Sequence, residues 1–257
     1  AVSRDAVNYR TLNDGLPVIG SDSISLKKGI RDPHILRSED GKNFYMVLTD
    51  MRSSEGWQSN DGMVLMKSKD LIHWEHTTID FPTRFPTLSG FEKDNLHAIW
   101  APQTIWDSKK KKYMVYYTVG RHDWSYAVGE KVQPYFKIFY SYANADFTDL
   151  SKPQQLFDFG TAAIDGDIIH DAKNKKYILF FKDEGLSTIN NGLQTRNGIL
   201  RATSDKLTGP FKTEYRHIHK TNAIVEGSSV FPIIGTDKHM LMYDCYADGH
   251  YQFCISD

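Results

Sequence analysis

The sequence predicts an all-β fold of the β-propeller type, and three observations carry that prediction. A unit of about 60 residues recurs four times. Each unit is made of short strands rich in aromatic and β-branched residues, separated by polar turns. No amphipathic stretch reaches the three turns of a packed helix. Small antiparallel sheets of this size, repeated and burying each other's faces, read as propeller blades.

Each unit opens on a short apolar strand, passes a polar turn and re-enters a strongly apolar strand. The four are IRDPHILRSEDGKNFYMVLTD, IWAPQTIWDSKKKKYMVYYT, IDGDIIHDAKNKKYILFFKD and VEGSSVFPIIGTDKHMLMYD. Aligned on the second residue of each, Asp32, Trp100, Asp165 and Glu226 are equivalent, with spacings of 68, 65 and 61 residues. The second strand then starts 13, 13, 12 and 13 residues further on, at Tyr45, Tyr113, Tyr177 and His239. A third strand runs into a small polar phrase, MKSKDLIHW (66–74), RATSDKLTGPF (201–211) and, more loosely, SYANADF (141–147). The phrase also opens the chain as AVSRDAVNY and begins again in CISD at its end. The expectation is one five-bladed propeller domain over 1–257. Its blades run over 28–97, 98–162, 163–221 and 222–257, and 1–20 is the tail of a blade represented only by its last strand. On this reading the chain is an excised part of a longer protein.

Composition narrows the function. The chain has 257 residues, 40% hydrophobic and 25% charged, with a formal net charge of −1. No bulk basic field points to nucleic acid, and no apolar run approaches the roughly 18 residues of a membrane span. The lysine run SKKKKY (108–113) falls in a turn between strands and reads as a solvated hairpin tip. Cys245 and Cys254 are the only cysteines and flank a turn-like ADGH, so there is no disulfide scaffold and their pairing is open.

In a propeller the first strand of every blade lines the central axis, so equivalent positions converge on one funnel. Asp32, Asp165 and Glu226 each stand beside apolar residues there. Taken singly, each has a plain explanation, such as a turn residue before Pro33 or Gly166. Trp100 stands at the same aligned position in another unit, so the fold does not itself demand an acid. Three converging carboxylates suit a hard cation or acid–base chemistry. Glycoside hydrolysis needs one protonated acid and one ionised base. A third carboxylate close by would raise the acid's pKa by like-charge repulsion.

The order RDP, WAP, ID, EG, one per unit, resembles glycoside hydrolase family 43 over roughly residues 28–257. The resemblance implies a five-bladed propeller glycosidase of the arabinofuranosidase or xylosidase type that inverts the anomeric centre. It implies Asp32 as general base, Asp165 as the acid that tunes pKa and orients the donor, and Glu226 as general acid. Asp167 is a rival for the middle role. Gln103 stands where the family often has an acid, EGS replaces the common EGP, and the body of the fifth blade, where the family often carries a histidine near a central metal or water, is expected to lie outside this sequence. No cofactor is expected to be required; a central structural calcium ion stays open.

Sugars present hydroxyls and apolar faces, so aromatic platforms with a few polar groups are expected at the funnel. Trp100 is the first candidate, with His122 and Trp124 on the segment GRHDWSYAVGE as a rim, and Trp57 on a similar segment. Arg31 is expected to pair with a carboxylate and favour an ionised Asp32. His34 is expected to line the first strand or orient a neighbour. The expected partner is a carbohydrate, with no nucleic acid and no membrane insertion. A monomer that is secreted or periplasmic is expected. Two other readings remain: a retaining fructoside-cleaving propeller, and a non-catalytic sugar-binding propeller.

Overall fold

The aromatic and β-branched runs form strands, and the strands form four antiparallel sheets, one per repeat. The computed structural model describes residues 2–5, 7–11, 13–185, 189–190, 193–194, 197–218 and 223–256. Among the described residues, strands β1 (Val2–Ser3) and β2 (Tyr9–Arg10) pair only with each other. The first blade is β3 (Ile30–Arg37), β4 (Phe44–Asp50), β5 (Gly62–Ser68) and β6 (Trp74–Asp80). The second is β7 (Leu96–Asp107), β8 (Lys112–Val128), β9 (Lys131–Tyr142) and β10 (Gln154–Phe157). The third begins with β11 (Ala163–Asp171) and β12 (Lys176–Asp183). A small hairpin of β13 (Ile189–Asn190) and β14 (Leu193–Gln194) intervenes before β15 (Ile199–Ser204) and β16 (Lys212–Glu214) complete it. The fourth is three-stranded, β17 (Glu226–Pro232), β18 (His239–Cys245) and β19 (His250–Ile255). The four sheets take a propeller arrangement. The expected end of the third blade at residue 221 lies outside the described residues.

The second strands of the two middle blades, β8 and β12, are apolar on both faces because each is sandwiched between two blades. On β8, Val115, Tyr117 and Val119 pack towards Val47 and Leu65 of the first blade, alongside Ile99 of their own. Met114 and Tyr116, pointing the other way by the two-residue period of a strand, pack with Ile168, Leu179 and Phe181 of the third. On β12, Phe180 turns to the fourth blade and meets Leu241 and Tyr243. Each such buried side chain contributes about 1.5–3 kcal/mol, so the inter-blade seams are the core. The lysine run forms the β7–β8 turn, held by Asp107 Oδ1, which accepts the Lys109 and Lys110 N–H groups at 3.0 Å each.

The segment ahead of the first blade touches both ends of the blade series. Tyr9 Oη lies 3.8 Å from Met242 Sδ in the fourth blade, while Ile19 and Ile24 pack on Leu48, Val64 and Met66 of the first. Cys245 and Cys254 are free thiols; Cys245 is opposite His250 and Cys254 opposite Leu241, so the hairpin does not face them together.

Every first strand carries a β-bulge at one place. The register against the second strand slips between Arg31 and His34, Trp100 and Gln103, Ile164 and Asp167, and Glu226 and Ser229. The first bulged residue is left-handed in all four: Asp32 (φ 52), Ala101 (φ 45), Asp165 (φ 53) and Gly227 (φ 63). This corrects the alignment read from sequence. Asp32 and Asp165 are equivalent, but their partners are Ala101 and Gly227. Glu226 stands one residue earlier, level with Arg31, Trp100 and Ile164. With this alignment the residues Thr49, Thr118, Lys182 and Asp244 each follow their left-handed residue by 17 positions.

Candidate active site

A left-handed residue at a bulge turns its side chain out of the ladder, and local side-chain hydrogen bonding makes Asp one of the residues that tolerates this backbone. That places Asp32 at the mouth of β3. Thr49 Oγ1, on β4, donates to Asp32 Oδ2 at 2.7 Å and itself accepts the Ala101 N–H at 2.9 Å. Arg31 Nε is 3.9 Å from Asp32 Oδ1, and its guanidinium lies 4.8 Å from the centre of the exposed Trp57 ring. The Asp32 side chain keeps 37% of its surface open, yet protein packed around it raises its pKa. Thr49 and Arg31 oppose that rise, and the Glu226 charge adds to it.

Asp165 repeats the arrangement one blade further. Its N–H donates to Thr118 Oγ1 (3.2 Å), as that of Ala101 does to Thr49. Its Oδ2 accepts the Gly227 N–H (2.9 Å) and its carbonyl accepts the Ser228 hydroxyl (3.0 Å). Burial pushes the Asp165 pKa up to about 7, helped by the charges of Glu226 and Asp32 and opposed by Lys182 and the Gly227 N–H. Glu226 Oε2 lies 3.0 Å from Lys182 Nζ. Asp32, Asp165 and Glu226, from three blades, are therefore within each other's electrostatic reach.

Asp167 sits differently. Its Oδ1 accepts the Tyr116 hydroxyl at 3.1 Å and its Oδ2 the Val230 N–H at 2.6 Å, tying three blades together inside the seam. Burial raises its pKa to about 6. His34 holds the equivalent position in the first blade, where burial lowers its pKa to about 4 and keeps it neutral. His34 Nε2 and Gln103 Oε1 are buried without a protein partner on adjacent blades. Calcium takes roughly six to eight oxygens, so one amide oxygen and one imidazole do not make a direct calcium site. No group of three or more His, Cys, Asp or Glu that could hold a metal occurs among the described residues.

The aromatic candidates form a ladder. His122 is exposed with its ring 4.6 Å from that of His97; His97 meets Phe136 edge-on at 5.8 Å; Phe136 stacks on Trp100 at 4.9 Å. Gly120 makes room for it, since a Cβ there would lie 2.5 Å from the Phe136 ring and 2.7 Å from that of His97. Trp100 precedes Ala101 and so adjoins the Thr49–Asp32 link. Trp124 lies elsewhere: it stacks on Phe139 at 5.9 Å, and Arg121 and Lys137 lie over its ring at 4.5 and 4.8 Å. Its ring is engaged by protein rather than presented as an open platform.

Sequence reasoning passed over Thr49 and Lys182. The signal was present: both occupy the 17-residue position, Thr in the first two blades and Lys in the third, and each reaches the bulge of the next blade.

Four blades in a propeller arrangement bring three carboxyl groups within electrostatic reach of one another. A family model described as "Probable glycosyl hydrolase domain", related to glycosyl hydrolase family 43, matches residues 1–257. The chain belongs to that family. It is 25% identical over 222 residues to an alpha-L-arabinofuranosidase of Bifidobacterium longum subsp. longum, covering 80% of this chain. The chain spans only 20% of that relative's length. A thermostable family-43 glycoside hydrolase shares the fold with a TM-score of 0.59 at 20% identity, over 89% of this chain and 69% of that one. The GH43_1 enzyme from Xanthomonas citri, in complex with xylose, shares it with a TM-score of 0.64 at 14% identity, over 94% and 72%.

Proposed function

We propose that this domain is an inverting glycosidase acting on arabinofuranosyl or related pentose or furanose linkages of plant-type polysaccharides or oligosaccharides. The observation that carries the reading is the mutual electrostatic reach of Asp32, Asp165 and Glu226, with one of them titrating near neutrality. Asp32, held by Thr49 and Arg31, accepts the proton of the attacking water. Glu226 gives its proton to the glycosidic oxygen as the bond to the anomeric carbon breaks. Asp165 retains a proton near neutral pH and, through the Gly227 N–H, fixes the backbone next to Glu226. Trp100, Arg31 and His122 are the substrate-contacting candidates. The choice of sugar leans on the arabinofuranosidase relative.

The test is turnover of aryl arabinofuranosides, xylosides and galactofuranosides, with proton NMR of the first-formed anomer. Glu226→Gln is expected to lower kcat by about 10²–10⁴ while substrate still binds. A retained anomer would sink the inverting mechanism, and undiminished turnover would remove Glu226 as the acid. Oligosaccharide binding without any turnover would favour a binding module.

We also infer that a fifth blade closes the ring between the fourth and the first. Tyr251, Phe253 and Ile255 on β19 and Ile35 on β3 are exposed large apolar residues, the kind of face other blades bury. In the full-length protein a fifth blade would protect the β19 amides from hydrogen exchange. Exchange as fast there as in this domain alone would refute it.

A further inference from the structure

Lys182 is a buried cation whose charge the mechanism above leaves unused. Its side chain is 2% exposed, and its Nζ lies 3.0 Å from Glu226 Oε2 and 2.6 Å from Glu184 Oε2. Tyr246 faces the same ammonium, with its hydroxyl at 3.5 Å and its ring centre at 4.6 Å. A buried cation between two carboxylates is a structural commitment, because desolvation opposes it until both partners are in place.

A lysine alone beside a carboxyl favours the ionised form, which is the wrong state for an acid. Glu184 changes this, since it competes for the same ammonium from the shorter distance. We propose that Lys182 is a positioning residue for the Glu226 carboxyl, and that Glu184 shares its charge so that one proton is retained between Glu226 and Asp165. The inference rests on the reading of Glu226 as the acid. With Oε2 fixed by Lys182, Oε1 is the oxygen left to meet the leaving group.

The surroundings are consistent. Asp165 on β11 and Asp32 on β3 are carboxyl groups coupled to Glu226, as is Asp244, which faces it in register on β18 and has His250 nearby. Tyr251 on β19 adds a phenol. Among the groups that couple to Glu226, Lys182 is the cation in hydrogen-bond contact. Burial would lower the Lys182 pKa, but Glu184 and Glu226 together reverse this and raise it, so it remains charged.

The experiment is a 13C titration of the Asp165 and Glu226 carboxyl carbons, alongside the pH dependence of kcat. Glu184→Gln, at a side chain 38% exposed, leaves Lys182 wholly to Glu226. The midpoint for proton loss from the pair, and the basic limb of kcat, should fall by about one pH unit. Lys182→Met combined with Glu184→Gln removes the cation without stranding Glu184, and both should rise by about one unit or more. A merely structural lysine would alter stability without these opposed shifts. Titration unchanged in Glu184→Gln, or shifts of one sign in both variants, overturns the proposal. If Glu226→Gln keeps its turnover, the acid assignment fails instead, while the carboxyl titration still decides whether Lys182 and Glu184 control the proton.

Discussion

Thr49 donates its hydroxyl proton to Asp32 across 2.7 Å. The same oxygen accepts the Ala101 N–H, so one fully buried threonine serves the candidate base and the neighbouring bulge together. Thr49→Val should therefore do two things. Losing a donor to the ionised form raises the Asp32 pKa further, moving the acidic limb of kcat/KM up by up to about one pH unit. The Ala101 N–H loses its acceptor, costing about 1–3 kcal/mol in urea unfolding. Thr49→Ser should restore both, and an acidic limb that stays put would separate Asp32 from the base role.

Asp165 gives a stability prediction with a definite sign. An unfolded aspartate titrates near 3.9, whereas folded Asp165 titrates at about 7. The native state binds more protons between those values, so this residue makes stability fall as pH rises from about 4 to 7. Asp165→Asn removes that cost, which is at most about 4 kcal/mol at about 1.4 kcal/mol per unit. Its Tm should exceed that of the parent by several degrees at pH 7.5, and the gap should close near pH 4. An equal gap at both pH values would contradict the assignment. Turnover should fall at the same time.

Asp167→Asn also removes a carboxyl whose pKa burial raises, to about 6, so its structural cost is read near pH 4, where that relief is absent. An amide accepts at one atom only, so with Oδ1 on the Val230 N–H its Nδ2 must donate to a Tyr116 hydroxyl that already accepts the Ile168 N–H, leaving that hydroxyl without its acceptor. A cost of about 1–3 kcal/mol is expected, with kcat of the folded fraction changed only a few-fold. Comparing kcat of the two variants distinguishes the acids of AIDGD. A collapse of kcat in Asp167→Asn, with stability unchanged, would exchange their roles.

Gly120→Ala tests the aromatic ladder. The added methyl meets Phe136 and His97 at close range, and overpacking of this kind costs about 1–3 kcal/mol. Because Phe136 backs Trp100, KM should rise more than kcat falls. A change in stability alone would remove Trp100 from substrate contact.

Much of this was legible in the sequence for a physical reason. Strands buried on both faces, such as YMVYYT and YILFFK, leave an apolar signature that survives without an alignment of relatives. The repeat then brought Asp32, Asp165 and Glu226 to one place. What was misread turns on backbone handedness. Nothing in IWAPQ says that Ala101, not Trp100, takes the left-handed position, so the conspicuous tryptophan was matched to the acids. Lys182 was hidden because FFKD reads as a strand running out into solvent, whereas its lysine is buried between blades. Trp124 was conspicuous for the opposite reason: an aromatic on a long hairpin suggests a platform, and only the structure places Arg121 and Lys137 over it.

The four left-handed bulges have a consequence for how such a cleft can change. The backbone presents the same outward socket in every blade, and the sequence has filled two of them with aspartate, leaving alanine and glycine in the others. Asp and Asn suit that conformation better than alanine does. A new polar group could therefore be installed at Ala101 with little demand on the backbone, facing whatever occupies the cleft. The ring works as an interchangeable mount, on which side chains can be exchanged by single codon changes while the scaffold keeps its register.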